Sequence, residues 1–281
     1  MRIHRAYRNI ATLFPILILL WASGCAQLPP NQNGLSGVRL RVTMTFRGDI
    51  NPNYAYFFLI NNTSTATKLE GDPNAPGPVA IFLPPYGNGF ARSSNNDASS
   101  IGFTDYIRFD QTGYRLWYVS GNAQSGFSYL PANQSPISSV LPGQNGELTN
   151  KQLQFEIDLS QLLRQANGAP LTDQTQAITI ARAIRYLQVN IVATSNVPTD
   201  LTTLREKQVE SLGDTRDSTS RSSFLLLDVS GSNPLVSNNN VLNSLIKEPA
   251  ENDVVDLGSN RIGGGDPSLD IVDWSIEVRR P

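Results

Sequence analysis

Apolar and polar side chains alternate along several stretches of this chain, and each stretch predicts a β-strand. The clearest one covers residues 38–46, where every second side chain is apolar. The same alternation recurs at 153–159, 187–193 and 272–278. A period of two is that of a strand whose side chains point alternately to the two faces of a sheet. We therefore predict four strands that each bury one face.

Continuous apolar segments predict further strands. Residues 54–60 are apolar on both faces, which indicates a central strand covered on two sides. Short apolar segments at 79–83 and 224–229 indicate two more strands. Residues 103–109 and 114–119 flank a turn that contains glycine, a pattern typical of a β-hairpin. About nine strands are thus expected along the chain.

The distribution of these strands predicts the fold class. Strands spread over 38–281 with Gly, Pro and Asn turns between them indicate an all-β domain, a single β-sandwich or jelly roll with long polar loops. A single helical turn is expected at 160–165, and only 201–212 offers a second helical segment, with poor apolar spacing. The first and last strands are expected to be neighbours. The Asn- and Ser-rich stretch 230–269 is expected to be a mobile loop.

The amino-terminal 25 residues have the layout of a secretory signal. Three arginines precede the apolar segment Ile10–Trp21, and small residues then lead to Cys25. This layout resembles a bacterial lipoprotein signal with its lipobox. The resemblance implies cleavage before Cys25, attachment of lipid such as palmitate to that cysteine, and an anchor in a bacterial membrane. Ala26 in place of Asp favours the outer membrane or the cell surface. An ordinary secretory signal, or an amino-terminal anchor, with a chance cysteine is the alternative.

The chain accordingly divides into a signal peptide at 1–24, a flexible polar tether at 25–37 and one β-sandwich domain at 38–281. Cleavage leaves 281 − 24 = 257 residues and removes three arginines, so that 22 − 3 = 19 basic side chains face 24 acidic ones. The net charge is then −5, and the arginines are scattered. Nucleic-acid binding needs a clustered positive face, so it is not expected.

The reactive side chains left after cleavage exclude several classes of chemistry. His4 is the only histidine and Cys25 the only cysteine. Without His4, and with Cys25 acylated, the chain has neither the imidazole nor the thiolate of the usual catalytic triads. It also lacks the ligands of the usual zinc sites. We therefore expect a protein that does not catalyse a reaction.

Two short motifs nevertheless invite a catalytic interpretation. Ser244-Leu245-Ile246-Lys247 matches the Ser-x-x-Lys of penicillin-binding proteins, but the partner motifs are absent and a turn of loop is expected. Glu156-Ile157-Asp158 resembles the core of the laminarinase-like jelly-roll glycosidases. The two carboxylates would share one strand face, about 6.5–7 Å apart. The family's second glutamate is replaced here, so the favoured interpretation is the solvent face of an amphipathic strand.

Loop aspartates suggest a structural calcium ion. Asp266, Asp270 and Asp273 follow three consecutive glycines. Calcium prefers several oxygen ligands on turns. Loop aspartates also cap turns through their own backbone, and this alternative stays open.

An aromatic pair in a predicted loop suggests a ligand contact. Tyr86, Asn88 and Phe90 lie in a segment rich in Gly, Pro and Asn. Exposed aromatic rings on a β-sandwich can stack on sugar rings. Local packing is the alternative role for these residues.

The second half of the chain resembles the DOMON-like and family-9-type carbohydrate-binding sandwiches. The resemblance rests on the strand and turn at 153–162 and on the strand at 187–193. Such domains bind sugars or haem, and the haem branch lacks its histidine here. The expected function is a lipid-anchored, extracytoplasmic, non-catalytic binding protein for a glycan or an envelope protein. A structural lipoprotein of an envelope assembly, with 230–269 as its docking segment, is one alternative. A glycan-cleaving enzyme using Glu156 and Asp158 is another.

Overall fold

The computed structural model describes residues 35–62, 78–80, 90–92, 102–122, 126–132, 134–144, 148–165, 171–196, 207–217, 219–220, 223–230, 235–259 and 261–280. Their strands, in chain order, are β1 (Arg39–Phe46), β2 (Ala55–Asn61), β3 (Pro78–Ala80), β4 (Phe90–Arg92), β5 (Asp105–Asp110), β6 (Gly113–Asn122), β7 (Gly126–Pro131), β8 (Ser138–Val140), β9 (Gln152–Asp158), β10 (Tyr186–Thr194), β11 (Gln208–Ser211), β12 (Leu225–Asp228), β13 (Leu235–Ser237), β14 (Val255–Asp256), β15 (Arg261–Ile262) and β16 (Ile271–Arg279). Helix α1 spans Gln174–Ala183, and 3₁₀ turns span Leu159–Leu162 and Ser244–Ile246.

These strands form two packed sheets, which confirms the predicted all-β sandwich. The first sheet has the order β13-β16-β1-β9-β8. The second has the order β15-β14-β11-β10-β2-β5-β6-β7, and β12 shares one edge of β10 with β11. Strands β3 and β4 form a separate hairpin. Side chains from both sheets meet in a common core, as where the rings of Phe58 on β2 and Phe155 on β9 lie 5.7 Å apart, edge to face.

The first sheet is built on the predicted pairing of the first and last strands. β1 hydrogen-bonds to β16 on one edge and to β9 on the other, both antiparallel. Its side chains alternate strictly between buried and half-buried, as its sequence pattern predicts. Leu40 lies between Val278 and Ile157, and Val42 and Met44 likewise meet buried residues on both neighbouring strands.

The second sheet is buried on both faces at its centre. Every residue of β2 is buried, as predicted, because β10 and β5 flank it and side chains cover both faces. Strand β10 differs from the prediction, since Gln188 and Asn190 on its polar face are also fully buried. Asn61 donates to Gln188 Oε1 at 2.6 Å, and Asn190 donates to the carbonyl of Ser223 at 3.2 Å. These amides are buried together with hydrogen-bond partners, which removes most of the cost of their burial.

Several elements were not predicted from the pattern. Helix α1 begins at the Asp173 cap and buries only Ala177 and Ala181. Its two large apolar side chains, Ile178 and Ile180, are not on the buried face, so the helix has no amphipathic pattern that would reveal it. The segment 201–212, which offered a possible second helix, ends in strand β11 instead. The stretch 230–269, expected to be a loop, contributes β13, β14, β15 and a 3₁₀ turn, and it buries Ile246 and Leu269.

The fold also begins before residue 38. Ser36 is fully buried: its backbone N–H and hydroxyl both donate to Asp158, and its carbonyl accepts from Arg182. The predicted tether therefore ends before Ser36, because this residue and Gly37 are part of the packed domain.

We expect Phe155→Ala to lower the free energy of unfolding by about 3–5 kcal/mol, because it removes a buried ring between the two sheets. Urea unfolding followed by tryptophan fluorescence measures this change. Leu242→Ala is the control: Leu242 is fully exposed and should change stability by less than about 0.5 kcal/mol. A cost below about 1 kcal/mol for Phe155→Ala would contradict the packing of the two sheets on this ring.

Candidate functional site

Four carboxylates are buried together at the junction of the two sheets. We call Glu210, Glu248, Asp253 and Asp270 the acidic cluster. Glu210 lies on β11, Glu248 and Asp253 lie in the segment before β14, and Asp270 immediately precedes β16. Three of them are fully buried, and Glu248 is 7 % exposed. Ionised side chains are rarely buried without a partner, so this grouping needs a physical explanation.

Glu210 and Asp270 connect the two sheets. Glu210 is paired with Ala193 of β10, a residue of the core between the sheets, so its side chain points to that side. Its Oε1 accepts the backbone N–H of Ile271, the first residue of β16, at 2.6 Å. Asp270 Oδ2 forms an ion pair with Arg47, just beyond β1. One side of the cluster is therefore fixed by the first sheet and the other by the second.

Asp253 and Glu248 are held by the turn that follows β11. Asp253 Oδ2 accepts from the N–H of Thr215 at 2.6 Å and from its hydroxyl at 2.7 Å. Glu248 Oε1 accepts from the N–H of Gly213 at 3.0 Å. Gly213 has φ +94, and a Cβ there would lie 2.0 Å from the carbonyl oxygen of Leu245, so only glycine fits this close approach.

Within the described part of the chain, each carboxylate of the cluster has one oxygen that accepts a hydrogen bond or ion pair and one that does not. Among the described residues, the atoms without a hydrogen-bond partner include Glu210 Oε2, Glu248 Oε2, Asp253 Oδ1 and Asp270 Oδ1, all inaccessible to solvent. One oxygen from each of Glu210, Asp253 and Asp270 lies within 4.8 Å of one oxygen from each of the other two. The arrangement thus brings buried acceptor oxygens together without donors to satisfy them.

The electrostatics of the cluster disfavour four free carboxylates. Burial, followed by the charges of the other carboxylates, raises the pKa of Glu210 and of Glu248 well above the ordinary value. Burial also raises the pKa of Asp253 to about 6, and that of Asp270 is raised by burial although Arg47 opposes the rise. Two like charges 4.8 Å apart repel by roughly 3 kcal/mol at an effective dielectric constant of about 20. A bound cation or protons would relieve this repulsion.

Of the three residues predicted to bind calcium, one belongs to this cluster. Asp270 belongs to it, but Asp266 instead accepts from Ser268 and from the hydroxyl of Tyr54, the turn-capping alternative. Asp273 is exposed on β16. The prediction found one ligand candidate and missed its partners, because Glu210 and Asp253 are distant in sequence and follow no spacing rule.

Glu156 and Asp158 occupy structural positions on the outer face of the first sheet. Glu156 is clamped between Arg39 at 3.2 Å and Arg279 at 3.1 Å. Asp158 is fully buried, accepts from Ser36 and Gly37, and caps the following 3₁₀ turn. The prediction of a solvent face was therefore wrong for these two side chains, because ion pairs and backbone donors cover them.

The Ser-x-x-Lys motif forms a short turn, as predicted. Ser244–Ile246 is a 3₁₀ turn capped by Asn243, and Lys247 is exposed just after it.

A group of aromatic side chains, separate from the acidic cluster, lies on the outer face of the second sheet. We call Phe57, Phe103, Tyr106 and Trp117 the outer aromatic face. Trp117 stacks on Tyr106 with ring centroids 6.0 Å apart and planes 5° from parallel, and it is half-buried whereas the other three are buried. Strand β3, of the separate β3–β4 hairpin, lies beside β2, β10 and β11 of the second sheet.

The predicted ligand residues fall on the segment attached to this hairpin. Tyr86 and Asn88 lie outside the described residues, as does Cys25. Phe90 is the first residue of β4 and pairs with Ala80 of β3, and its side chain is outside the described part. Tyr86 and Asn88 therefore belong to the segment of sequence that connects β3 to β4.

Comparison of the chain with protein-family models, curated protein sequences and solved structures finds no match. Among the described helices, none combines the length and apolar character needed to cross a bilayer.

We expect Asp158→Ala to lower the free energy of unfolding by roughly 2–4 kcal/mol, since it removes an N-cap and leaves buried donors of Ser36 and Gly37 without an acceptor. Asp173→Ala is the matched control, because the exposed Asp173 side chain caps α1 by accepting from the N–H of Gln176 within its own helix. It should cost about 1 kcal/mol in the same chemical denaturation. Equal costs for the two variants would contradict the role of Asp158 in fixing the start of the domain.

Proposed function

We propose that this chain is a lipid-anchored, extracytoplasmic binding protein that does not catalyse a reaction and that recognises a glycan. The observation that supports binding is the position of the β3–β4 hairpin. Strand β3 of this hairpin adjoins β2, β10 and β11 of the second sheet, and β2 carries Phe57 of the outer aromatic face. The segment with Tyr86 and Asn88 joins the two strands of this hairpin. Aromatic rings supply large contact area to sugar rings at low entropic cost.

Trp117 is the half-buried member of the outer aromatic face. A ligand would contact this face through the exposed part of the Trp117 ring. This ring is stacked on the buried Tyr106, which fixes its orientation. A fixed aromatic ring loses little side-chain entropy on binding. Tyr86 and Phe90 supply the adjacent contacts in this proposal.

The absence of catalysis is supported by the state of the carboxylates that a glycosidase would need. Glu156 has both oxygens paired with arginines, and Asp158 accepts from five donor groups on three residues. A general acid needs access to the leaving oxygen and a raised pKa, and a nucleophile needs a free oxygen. Sugar release from a polysaccharide panel that disappears in Glu156→Gln would overturn this part of the proposal.

We expect the full chain, purified in detergent, to bind a subset of an array of bacterial and plant glycans. The double substitution Tyr86→Ala with Phe90→Ala should reduce binding at least tenfold, because the aromatic contact area is lost. Its melting temperature should stay unchanged. Leu242→Ala, an exposed apolar side chain elsewhere, should bind as the unsubstituted chain does.

Equal binding by the double variant would rule out the proposed recognition segment. A blank array with a folded protein would contradict glycan recognition. It would favour an envelope protein partner or a structural lipoprotein instead, tested by cross-linking in native membranes. The exposed Leu235 and Leu242, in the stretch once expected to dock, would then be the first positions for cross-linkers.

We expect Cys25→Ser to move the protein from the membrane fraction to the soluble fraction of a bacterial expression host, because the acylated cysteine supplies the anchor. Fractionation with intact-mass measurement checks this result, and the mass of the unsubstituted chain should include the acyl groups. Ser23→Ala, beside the proposed cleavage site, is the control and should stay in the membrane. A soluble unsubstituted chain without added mass would support the ordinary secretory signal.

A further inference from the structure

The acidic cluster contains buried oxygens for which the described residues supply no donor. Glu210, Asp253 and Asp270 are fully buried. Within the described chain, Glu210 Oε2, Asp253 Oδ1 and Asp270 Oδ1 have no hydrogen-bond partner. Because buried polar atoms are almost always satisfied, three such atoms on neighbouring side chains indicate a group that the protein binds. This observation is independent of the acidity of the cluster.

We propose that the acidic cluster binds one calcium ion between the two sheets. Glu210, Asp253 and Asp270 are the direct ligands in this proposal. Glu248 lies close enough to influence their charge and supplies a fourth oxygen, directly or through a water molecule. The site is distinct from the proposed glycan contacts, and its existence does not depend on them.

The donor set selects the class of metal. Every free side-chain group in the cluster is a carboxylate oxygen, which hard cations prefer, and no softer ligand is present among them. Calcium binds oxygen at 2.3–2.6 Å, so two of its ligands can be up to about 5 Å apart. The spacing within 4.8 Å fits that range. Magnesium demands shorter bonds and retains several waters, which a buried set of protein carboxylates does not favour.

The local charge also calls for a divalent cation. Four carboxylates face one guanidinium, that of Arg47, which is paired with Asp270. Lys207 is buried close by in sequence, yet it forms no ion pair with any described carboxylate. By strand alternation from Val209, Lys207 points to the outer face of the second sheet, opposite to Glu210. With four ionised carboxylates and one guanidinium, the net charge is −4 + 1 = −3, and a calcium ion would reduce it to −1.

The site would join elements that are far apart in sequence. Glu210 belongs to the second sheet, Asp270 leads into β16 of the first, and Asp253 precedes β14. An ion bound by all three links both sheets and closes the segment between β13 and β16. Metal binding of this kind adds its free energy to folding, because the unfolded chain has no preformed site.

The test uses the full chain in detergent, treated with EDTA and then dialysed free of it. Calcium chloride is added, and isothermal titration calorimetry and thermal unfolding are recorded. We expect one calcium ion per chain, with a dissociation constant below about 1 mM, the weak limit of extracellular modules. At calcium a hundredfold above that constant, the melting temperature should rise by roughly 5–10 °C. Magnesium at the same concentration should produce less than half of that rise.

Substitutions locate the site. Asp253→Asn and Glu210→Gln keep side-chain size and remove one charge each. Calcium affinity should fall more than about 100-fold, beyond the loss typical of an outer-shell partner. Asp273→Asn is the matched control, because it removes an exposed aspartate three residues from Asp270. It should bind calcium as the unsubstituted chain does, and circular dichroism confirms that each variant is folded.

Three results would overturn the proposal. The first is a melting temperature of the unsubstituted chain that calcium does not change, together with no calorimetric signal. The second is full calcium binding by a folded Asp253→Asn or Glu210→Gln. The third is equal stabilisation by magnesium, which would reject calcium as the ligand. The titration of the unsubstituted chain keeps the proposal falsifiable if both variants fail to fold.

Discussion

The hydrogen bonding of β1 to both β9 and β16 is the interaction on which the rest of this structure depends. It places the start of the domain between two later strands, so that the chain closes on itself. The same strand ends beside Arg47, whose ion pair with Asp270 joins it to the acidic cluster. Asp158, at the end of β9, fixes the residues that lead into β1. The Asp158 cap, the acidic cluster and the closure of the first sheet thus all depend on β1 and the residues that flank it.

Burial of the second sheet on both faces imposes a second constraint. Its central strands carry polar side chains that cannot reach water, so each needs a partner within the protein. The amides of Asn61 and Gln188 satisfy each other, and Asn190 bonds to Ser223 and to the N–H of Leu212. The four carboxylates of the acidic cluster are not fully paired in this way. Within the described chain, one oxygen of each has no hydrogen-bond donor. Burial lowers the pKa of Lys207 to about 8, but this lysine pairs with none of them.

The strands with strictly alternating apolar and polar side chains were predictable, because burial of one face requires an apolar residue at every second position. This holds for β1, β9 and β16, and the pairing of β1 with β16 followed from their matching patterns. Helix α1 was not predictable, since it packs through Ala177 and Ala181 and its one clear signal is the Asp173 cap. Strand β11 is short and polar, with a buried glutamate where a solvent-facing side chain is the usual expectation.

The acidic cluster shows why a site can escape analysis of the sequence. Asp270 was identified, but as a member of a local group with Asp266 and Asp273. The fold instead brings it to Glu210, sixty residues earlier, whose carboxylate accepts the N–H next to Asp270. Only the crossing between sheets brings these side chains together, and no spacing rule encodes that crossing. Local proximity in a loop identified one member of the cluster, Asp270, but grouped it with the wrong carboxylates.

The two proposed sites are separate, yet one strand connects them. On β11, Glu210 points into the space between the sheets, and its neighbour Val209 belongs to the cluster on the outer face. Adjacent residues of a strand project to opposite sides, so Glu210 of the proposed ion site and Val209, which packs with the outer aromatic face, share one short stretch of backbone. The strand has only four residues, with β10 along one edge and β14 along part of the other. Loss of the ion would leave like charges repelling beneath it, and that repulsion would reach the outer face through β11 itself. Calcium and glycan recognition are therefore expected to be coupled through strand position rather than through shared ligands.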